Sequence, residues 1–401
     1  MTPTSLIIVS RHRACALIRA LMGVAQMDHP AFEVIVVADP DGIRAAQTLG
    51  LPLKLAEYDQ PNISAARNIG LGLAAAPVVA FLDDDAVPEP SWLSRLVAPF
   101  SDARVTAAGG FVLGRSGLAW QWQAAWVDGD GFDHPFDAGP STSLHSGTAS
   151  RAIKTQGTNC AFRREALLAI GGFDEGYRFY LDEADVNLRL AATGGLTAVV
   201  PDAVVHHGYA PSARRRADRV PTDLTEIGHS LALFTTRHGM PQTALPRHIA
   251  EQKARLIRHM IRGALEPRDI TRLMDGLSRG IASGQSAVTK RIAAVGVAPP
   301  AFSPLPNTGP RPGRFLFGAA KDRTALQKTA LRARKKGEVV TLILLSRGLS
   351  PHRHRFTENG VWEQSGGRFG RSFRNGKRFE WRNATARKLI ESKRLALYRP
   401  L

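Results

Sequence analysis

The chain has 401 residues, 44% of them apolar, enough to bury a full core and to suggest two or three domains. Two cysteines far apart, Cys15 and Cys160, exclude a disulfide scaffold and a structural zinc site. No apolar run approaches the roughly 18 residues of a membrane span, and the first residues lead into a strand-like segment rather than a signal peptide, so the chain reads as cytoplasmic. The net charge of +18 is divided unevenly: residues 1–210 hold 15 Lys and Arg against 22 Asp and Glu, whereas residues 211–401 hold 38 against 13. A second half this basic points to a polyanionic neighbour, whether nucleic acid, anionic lipid or an acidic polymer.

The first 110 residues alternate strand-like and helix-like patterns, the signature of βαβ units and a mostly parallel sheet. Strands are expected at residues 5–9, 32–38, 53–57 and 78–82, and helices at 14–27, 43–49 and 64–75. Asp83, Asp84 and Asp85 stand at the end of the last of these apolar runs. Buried strands of open α/β sheets place ligands just beyond their carboxyl ends. Three crowded carboxylates there are best held together by a cation, and hard oxygen ligands favour Mg²⁺ or Mn²⁺. The plainer reading is a turn leading into the next helix.

Residues 114–157 are rich in Gly, Ser, Asp and Trp and read as an irregular insertion carrying a short helix. Trp120, Trp122 and Trp126 either line a saccharide groove or, more simply, anchor the insertion. Helices are expected again at 164–169 and 183–193, and a strand at 197–200. Asp182, Glu183 and Asp185 crowd a helix start, where the dipole favours anions and a general base is equally at home. His206 and His207 follow the strand. Residues 211–295 read as largely helical, and the Pro-rich residues 299–306 as a boundary. Beyond it come a basic helix at 325–336, a strand at 339–345, and an Arg-rich, aromatic-rich stretch of short strands and turns up to Trp381.

Together these segments resemble the inverting nucleotide-sugar transferases of glycosyltransferase family 2, over about residues 5–210. The matching pieces come in family order: Ser10-Arg11-His12-Arg13, the helix carrying Ala66-Arg67-Asn68-Ile69-Gly70, and Asp83-Asp84-Asp85. They continue with the segment from Gly157 to Arg164, Gly171-Gly172-Phe173-Asp174-Glu175, and Asp182-Glu183 with Asp185 and Arg189. The resemblance implies an α/β fold: a GT-A, Rossmann-like, mostly parallel catalytic domain at 1–210, a mainly helical region at 211–300, and a small basic α+β region at 301–401. It also implies a Mn²⁺ or Mg²⁺ ion bridging the phosphates of a nucleotide-sugar donor, with a UDP-sugar favoured.

The residue roles follow from the same resemblance. Asp83 would contact the ribose or the metal, Asp85 the metal, and His207 or His206 would supply another ligand. Arg11, Asp39, Arg67, Asn68 and Asp84 fall on the donor side. Glu183 takes the place of the catalytic base, with Asp182 beside it, and a neighbouring carboxylate is expected to hold its pKa above that of a free side chain. The acceptor would be a hydroxyl of a saccharide or lipid-linked molecule in cell-envelope or extracellular polysaccharide synthesis. Two details depart from the family: the second strand ends in Asp39-Pro40-Asp41 rather than an acidic pair, and Glu183 stands where Asp is commoner.

The basic second half then reads as an accessory region that holds the enzyme at the inner face of an anionic membrane or on an acidic glycan, with nucleic acid not expected as a partner. The alternative is a polyanion- or nucleic-acid-binding protein on a degenerate transferase domain. Arg214-Arg215-Arg216, the cluster at 332–336 and the aromatics between Phe369 and Trp381 support it. Against it, a decayed enzyme has no need to keep the acidic triplet, the histidines and the acidic helix start together. A nucleotidyltransferase would want a Gly-rich phosphate loop after the first strand, and residues 10–14 contain no glycine.

Overall fold

The structure, a computed structural model, describes residues 2–287, 295–296, 298–306 and 308–401. Residues 288–294, the end of the helical expectation, lie outside the described residues. The amino-terminal alternation runs β1 (Thr4–Ser10), α1 (Ala14–Val24), β2 (Phe32–Ala38), α2 (Pro40–Gln47), β3 (Leu53–Glu57), α3 (Ile63–Leu73) and β4 (Val78–Asp83). Next come β5 (Ala86–Pro88), α4 (Trp92–Val97) and β6 (Val105–Leu113). Five short strands follow: β7 (Trp120–Trp122), β8 (Ala125–Asp128), β9 (Asp133–Pro135), β10 (Ser143–Ser146) and β11 (Arg151–Ile153). β12 (Cys160–Arg163), α5 (Arg164–Ala169), α6 (Asp182–Ala192) and β13 (Leu196–His207) complete this half.

Ten strands share one sheet in the order β10-β13-β6-β12-β4-β1-β2-β3, with β5 and β7 on its margins. The run β4-β1-β2-β3 is parallel, whereas β12 joins β4 and β6 antiparallel. The parallel strands are apolar on both faces because both are covered. Leu6, Ile8, Val34, Val36 and Ala80 enter one core layer, and Ile7, Ile35, Val37, Val79 and Phe81 the other. Each large side chain buried this way contributes about 1.5–3 kcal/mol. Asn62 caps α3 by accepting from the Ala65 amide at 3.1 Å. A Cβ on Gly70 would come within 2.5 Å of Ile7, so glycine lets α3 lie close against β1.

The helix expected in the insertion is absent among the described residues, and short strands stand in its place. The tryptophan-bearing stretch there is drawn into strands by its partners, β7 pairing with β6 and β8 with β9 and β11. β8, β9 and β11 form a small separate sheet, while β7 and β10 extend the main one.

Three helices follow, α7 (Thr225–His238), α8 (Pro241–Ile261) and α9 (Pro267–Gln285). Their apolar faces share a cluster with Tyr177, Leu181 and Leu188. The carboxy-terminal region holds β14 (Gly313–Ala319), α10 (Arg323–Lys335), β15 (Val339–Ser346), β16 (Arg353–Phe356), β17 (Trp362–Gly367) and α11 (Ala384–Leu395). Its sheet runs β14-β15-β17-β16, parallel except at β16. This region docks on the first half: Phe356, Trp362 and Val339 cluster with Val87 and Met22. Arg399 reaches Glu89 at 2.6 Å, with both side chains only 3% exposed. No helix among the described residues is long and apolar enough to cross a membrane.

Candidate functional site

β4 delivers Asp83 at its carboxyl end, and β5, starting at Ala86, leaves antiparallel to the last residues of β13. Ala86 pairs with His207 and Val87 with His206, so the aspartates and the histidines share one hairpin-like corner. Strand alternation then separates the two histidines. His207 Nε2 lies 3.0 Å from Asp85 Oδ1 and 3.9 Å from Asp83 Oδ2. His206 turns to the other face, where its Nε2 meets Glu89 at 2.8 Å and its ring packs on Trp362.

Asp83, Asp85 and His207 bring one ligand atom each within 4.8 Å of one another. His207 Nδ1 is 2.9 Å from the Gln121 side-chain oxygen. A carboxamide oxygen only accepts, so Nδ1 donates to Gln121 and Nε2 is the ring nitrogen left to face the aspartates and a metal ion. Two carboxylates suit Mg²⁺ or Mn²⁺, and an imidazole suits a transition ion, so the set fits Mn²⁺ on both counts. Burial pushes the Asp83 carboxyl up from its ordinary value. Burial pushes Asp85 the same way, but its bond to His207 and the charge of Arg13 hold it low.

Asp84 faces away from this group. It is fully buried, accepts from Ser10 Oγ at 2.7 Å, pairs with Arg13 at 2.8 Å, and burial pushes its carboxyl up to about 7. Arg13 also lies 3.4 Å from Asp85. Of the two arginines in the loop after β1, Arg13 therefore touches the triplet, while Arg11 pairs at the surface with Asp59. Asp39 is buried at the end of β2 and accepts from the His12 amide at 2.8 Å.

Arg67 joins the triplet to the second acidic group. Its buried guanidinium pairs with Asp182, lies 3.4 Å from Glu183 and 3.8 Å from Asp83, and packs against Phe81 and Phe173. Burial works against its charge, but the three carboxylates outweigh burial and raise its pKa. Asn68, the next residue, points elsewhere and grips both main-chain polar groups of Phe173. α6 begins at Asp182 directly after Tyr180 and Leu181, both in the left-handed region with φ of 75° and 65°. Such backbone strain costs about 1–3 kcal/mol per residue and clusters at working sites.

The Gly157 amide donates to Glu183 Oε1 at 3.0 Å. The expectation of a raised Glu183 pKa is not met. Burial would raise both acidic side chains, yet Arg67 pulls the Glu183 carboxyl below the ordinary 4.5, while Asp182, repelled by Glu183, is raised.

Arg13, Gln121 and Gly157 emerge only from the structure. Arg13 and Gly157 lay inside matched segments, but which arginine faces inward depends on the turn after β1. Trp120 packs edge-on against Phe111, in keeping with anchorage; Trp126 sits against Arg151 and Phe136, and Trp122 lies 5.6 Å from Lys154. Arg163 is spent on the carbonyls of Phe100, Asp102 and Val105.

A largely parallel sheet whose strand end carries a metal-capable triad, tied by one arginine to an acidic helix start, defines a glycosyltransferase of the GT-A class. More particularly, the chain belongs to glycosyltransferase-like family 2, whose sequence model matches residues 2–220. Over 236 residues it is 31% identical to the O-antigen biosynthesis protein RfbC of Myxococcus xanthus, covering 55% of this chain and 18% of that protein. Over 121 residues it is 29% identical to the glucosyl-dolichyl phosphate glucuronosyltransferase of Haloferax volcanii, covering 28% and 34% respectively. The chain thus spans a minor part of the length of both relatives. A solved mannosyltransferase from Pyrobaculum calidifontis, in complex with GDP-Man and Mn²⁺, is 18% identical with a TM-score of 0.40, over 71% of this chain and 73% of that one. That likeness is too distant to carry an argument.

Proposed function

We propose that the chain moves a sugar from a nucleoside diphosphate donor, a UDP-sugar being favoured, to a hydroxyl of a saccharide or lipid-linked acceptor, with inversion. The observation that carries this reading is Arg67, whose one guanidinium contacts Asp83 on one side and Asp182 and Glu183 on the other. Asp83, Asp85 and His207 would hold Mn²⁺ or Mg²⁺, whose chemistry there is to stabilise negative charge on the departing diphosphate. Glu183, ionised at neutral pH, takes the acceptor hydroxyl proton as that oxygen bonds to the anomeric carbon. The bond from that carbon to the diphosphate breaks on the opposite face, and its electron pair leaves with the nucleoside diphosphate. Asp39 at the end of β2 and Arg11 at the rim are available to the nucleoside, whereas Asp84 and Asn68 act by holding the loops that carry the site.

The activities for which the two relatives are named, in O-antigen biosynthesis and on a dolichyl phosphate sugar, support a polysaccharide or lipid-linked acceptor. The test is a panel of nucleotide sugars with Mn²⁺, reading the anomeric configuration of the released sugar by NMR. Turnover with inversion is expected. Retained configuration, or no turnover of any donor, sinks the reading.

For residues 301–401 the reading is a peripheral position on an anionic membrane face. Phe379 and Trp381 are 54% and 80% exposed, among Lys377, Arg378 and Arg382. Aromatic tips with cations beside them suit a headgroup region. Co-sedimentation with anionic vesicles, lost at high salt, is expected, and equal binding to neutral vesicles refutes it. Salt-sensitive binding to DNA without donor turnover would favour the degenerate-transferase alternative.

A further inference from the structure

A cleft of about 590 Å³ opens between the first half of the chain and the carboxy-terminal sheet. Asp85 and His207 form part of its wall, whereas Arg11, Asp39, Arg67 and Glu183 stand outside it. Five arginines line it against two carboxylates, Asp85 and Glu363. Seven of its fifteen lining residues, between Arg323 and Ser365, lie beyond the family match. The site is therefore built partly by this chain's own carboxy-terminal region, and donor binding common to the family does not require it.

The arginines are not equally committed. Glu363 pairs with Arg323 at 2.8 Å and Arg355 at 2.6 Å, and Arg115 donates to the carbonyls of Gly208, Tyr209 and Ala217. Among the described residues Arg353 has no carboxylate partner, and Arg19 reaches only Glu358, an exposed side chain 3.7 Å away. Concave walls of one charge focus their field, and a guanidinium fork matches phosphate oxygens in pairs.

We propose that this cleft is a second phosphate-binding site, adjoining the donor diphosphate at Asp85 and His207, in which Arg19 and Arg353 hold a phosphate group carried by the acceptor. The ligand's identity as acceptor rests on the transferase reading; the site itself does not. Inorganic pyrophosphate is titrated calorimetrically into the full-length chain stripped of metal with EDTA, where the aspartate triad repels anions. The double variant Arg19→Gln, Arg353→Gln should weaken binding about tenfold or more, as should Arg353→Glu alone at its exposed position. The control Arg268→Gln, Arg279→Gln on α9 should bind as wild type does. Equal affinity in all four proteins overturns the site.

Competition then identifies the source of the phosphate. Displacement of pyrophosphate by a short-chain polyprenyl monophosphate supports the acceptor, whereas displacement only by free nucleoside diphosphate overturns that assignment in favour of released product. Mn²⁺-dependent donor hydrolysis by the wild-type chain reads the transferase assignment separately, so the two can fail independently.

Discussion

Gly157 shows how tightly Arg67 and Glu183 are held. A Cβ there would stand 2.0 Å from an Arg67 nitrogen and 2.1 Å from Glu183 Oε1, so any side chain displaces the proposed base or its counter-charge. Gly157→Ala should lower transfer about 100-fold through misplacement of Glu183 while leaving Mn²⁺ affinity within a few-fold; parallel kinetics and calorimetry check this, and unchanged turnover would refute it. The aspartates, Glu183 and the histidine pair were legible in the sequence through the order of the matching segments, since each alone reads equally well as a turn, a helix start or a strand end. Their electrostatics were not. Arg67 sits 115 positions before Asp182, and only the fold reveals that its charge holds Glu183 low while burial and Glu183 push Asp182 up.

At the scale of elements, the pairing of β5 with β13 decides which histidine meets the aspartates. His207→Ala should weaken Mn²⁺ binding, measured calorimetrically in the presence of UDP, and Gln121→Ala should do so by about 10–100-fold through loss of the imidazole's partner. His206→Ala should instead loosen the Glu89 contact, so a metal affinity that falls equally in both histidine variants would count against this register. The amino-terminal strands could be read directly, since unbroken β-branched runs leave little choice. β14 could not, because glycines flank a short run at Gly313 and Gly318, and α11 could not, because five charged residues among its twelve break up the apolar face. The insertion misled for a different reason: its three tryptophans sit in a stretch without Gly, Asp or Pro, whereas pairing of β7 with β6 and of β8 with β9 and β11 fixes them in strands.

For the whole molecule, Arg399 closes the chain back onto its catalytic half across 310 positions, a contact no local pattern announces. Burial would raise the Glu89 carboxyl, yet Arg399 and His206 outweigh it and hold it below the ordinary 4.5. Burial also weighs against the Arg399 guanidinium, so each charge depends on the other. Arg399→Ala, which leaves the buried Glu89 with His206 in place of two cationic partners, should cost about 3 kcal/mol and expose the carboxy-terminal region to limited proteolysis. A carboxylate depressed on folding stabilises above its unfolded pKa and loses that contribution as pH falls through the folded value. Docking should therefore hold at neutral pH and loosen below 4.5, as proteolysis across a pH series will report; uniform protection down to that range and beyond would contradict it.

All these contacts serve one site, and its chemistry is tested most directly by Mn²⁺-dependent turnover of a nucleotide sugar in the wild type, Asp85→Asn and Glu183→Gln. The expected result is a loss of about 100-fold or more in each variant with the fold intact. Undiminished turnover in either would contradict the assignment of metal ligand and base.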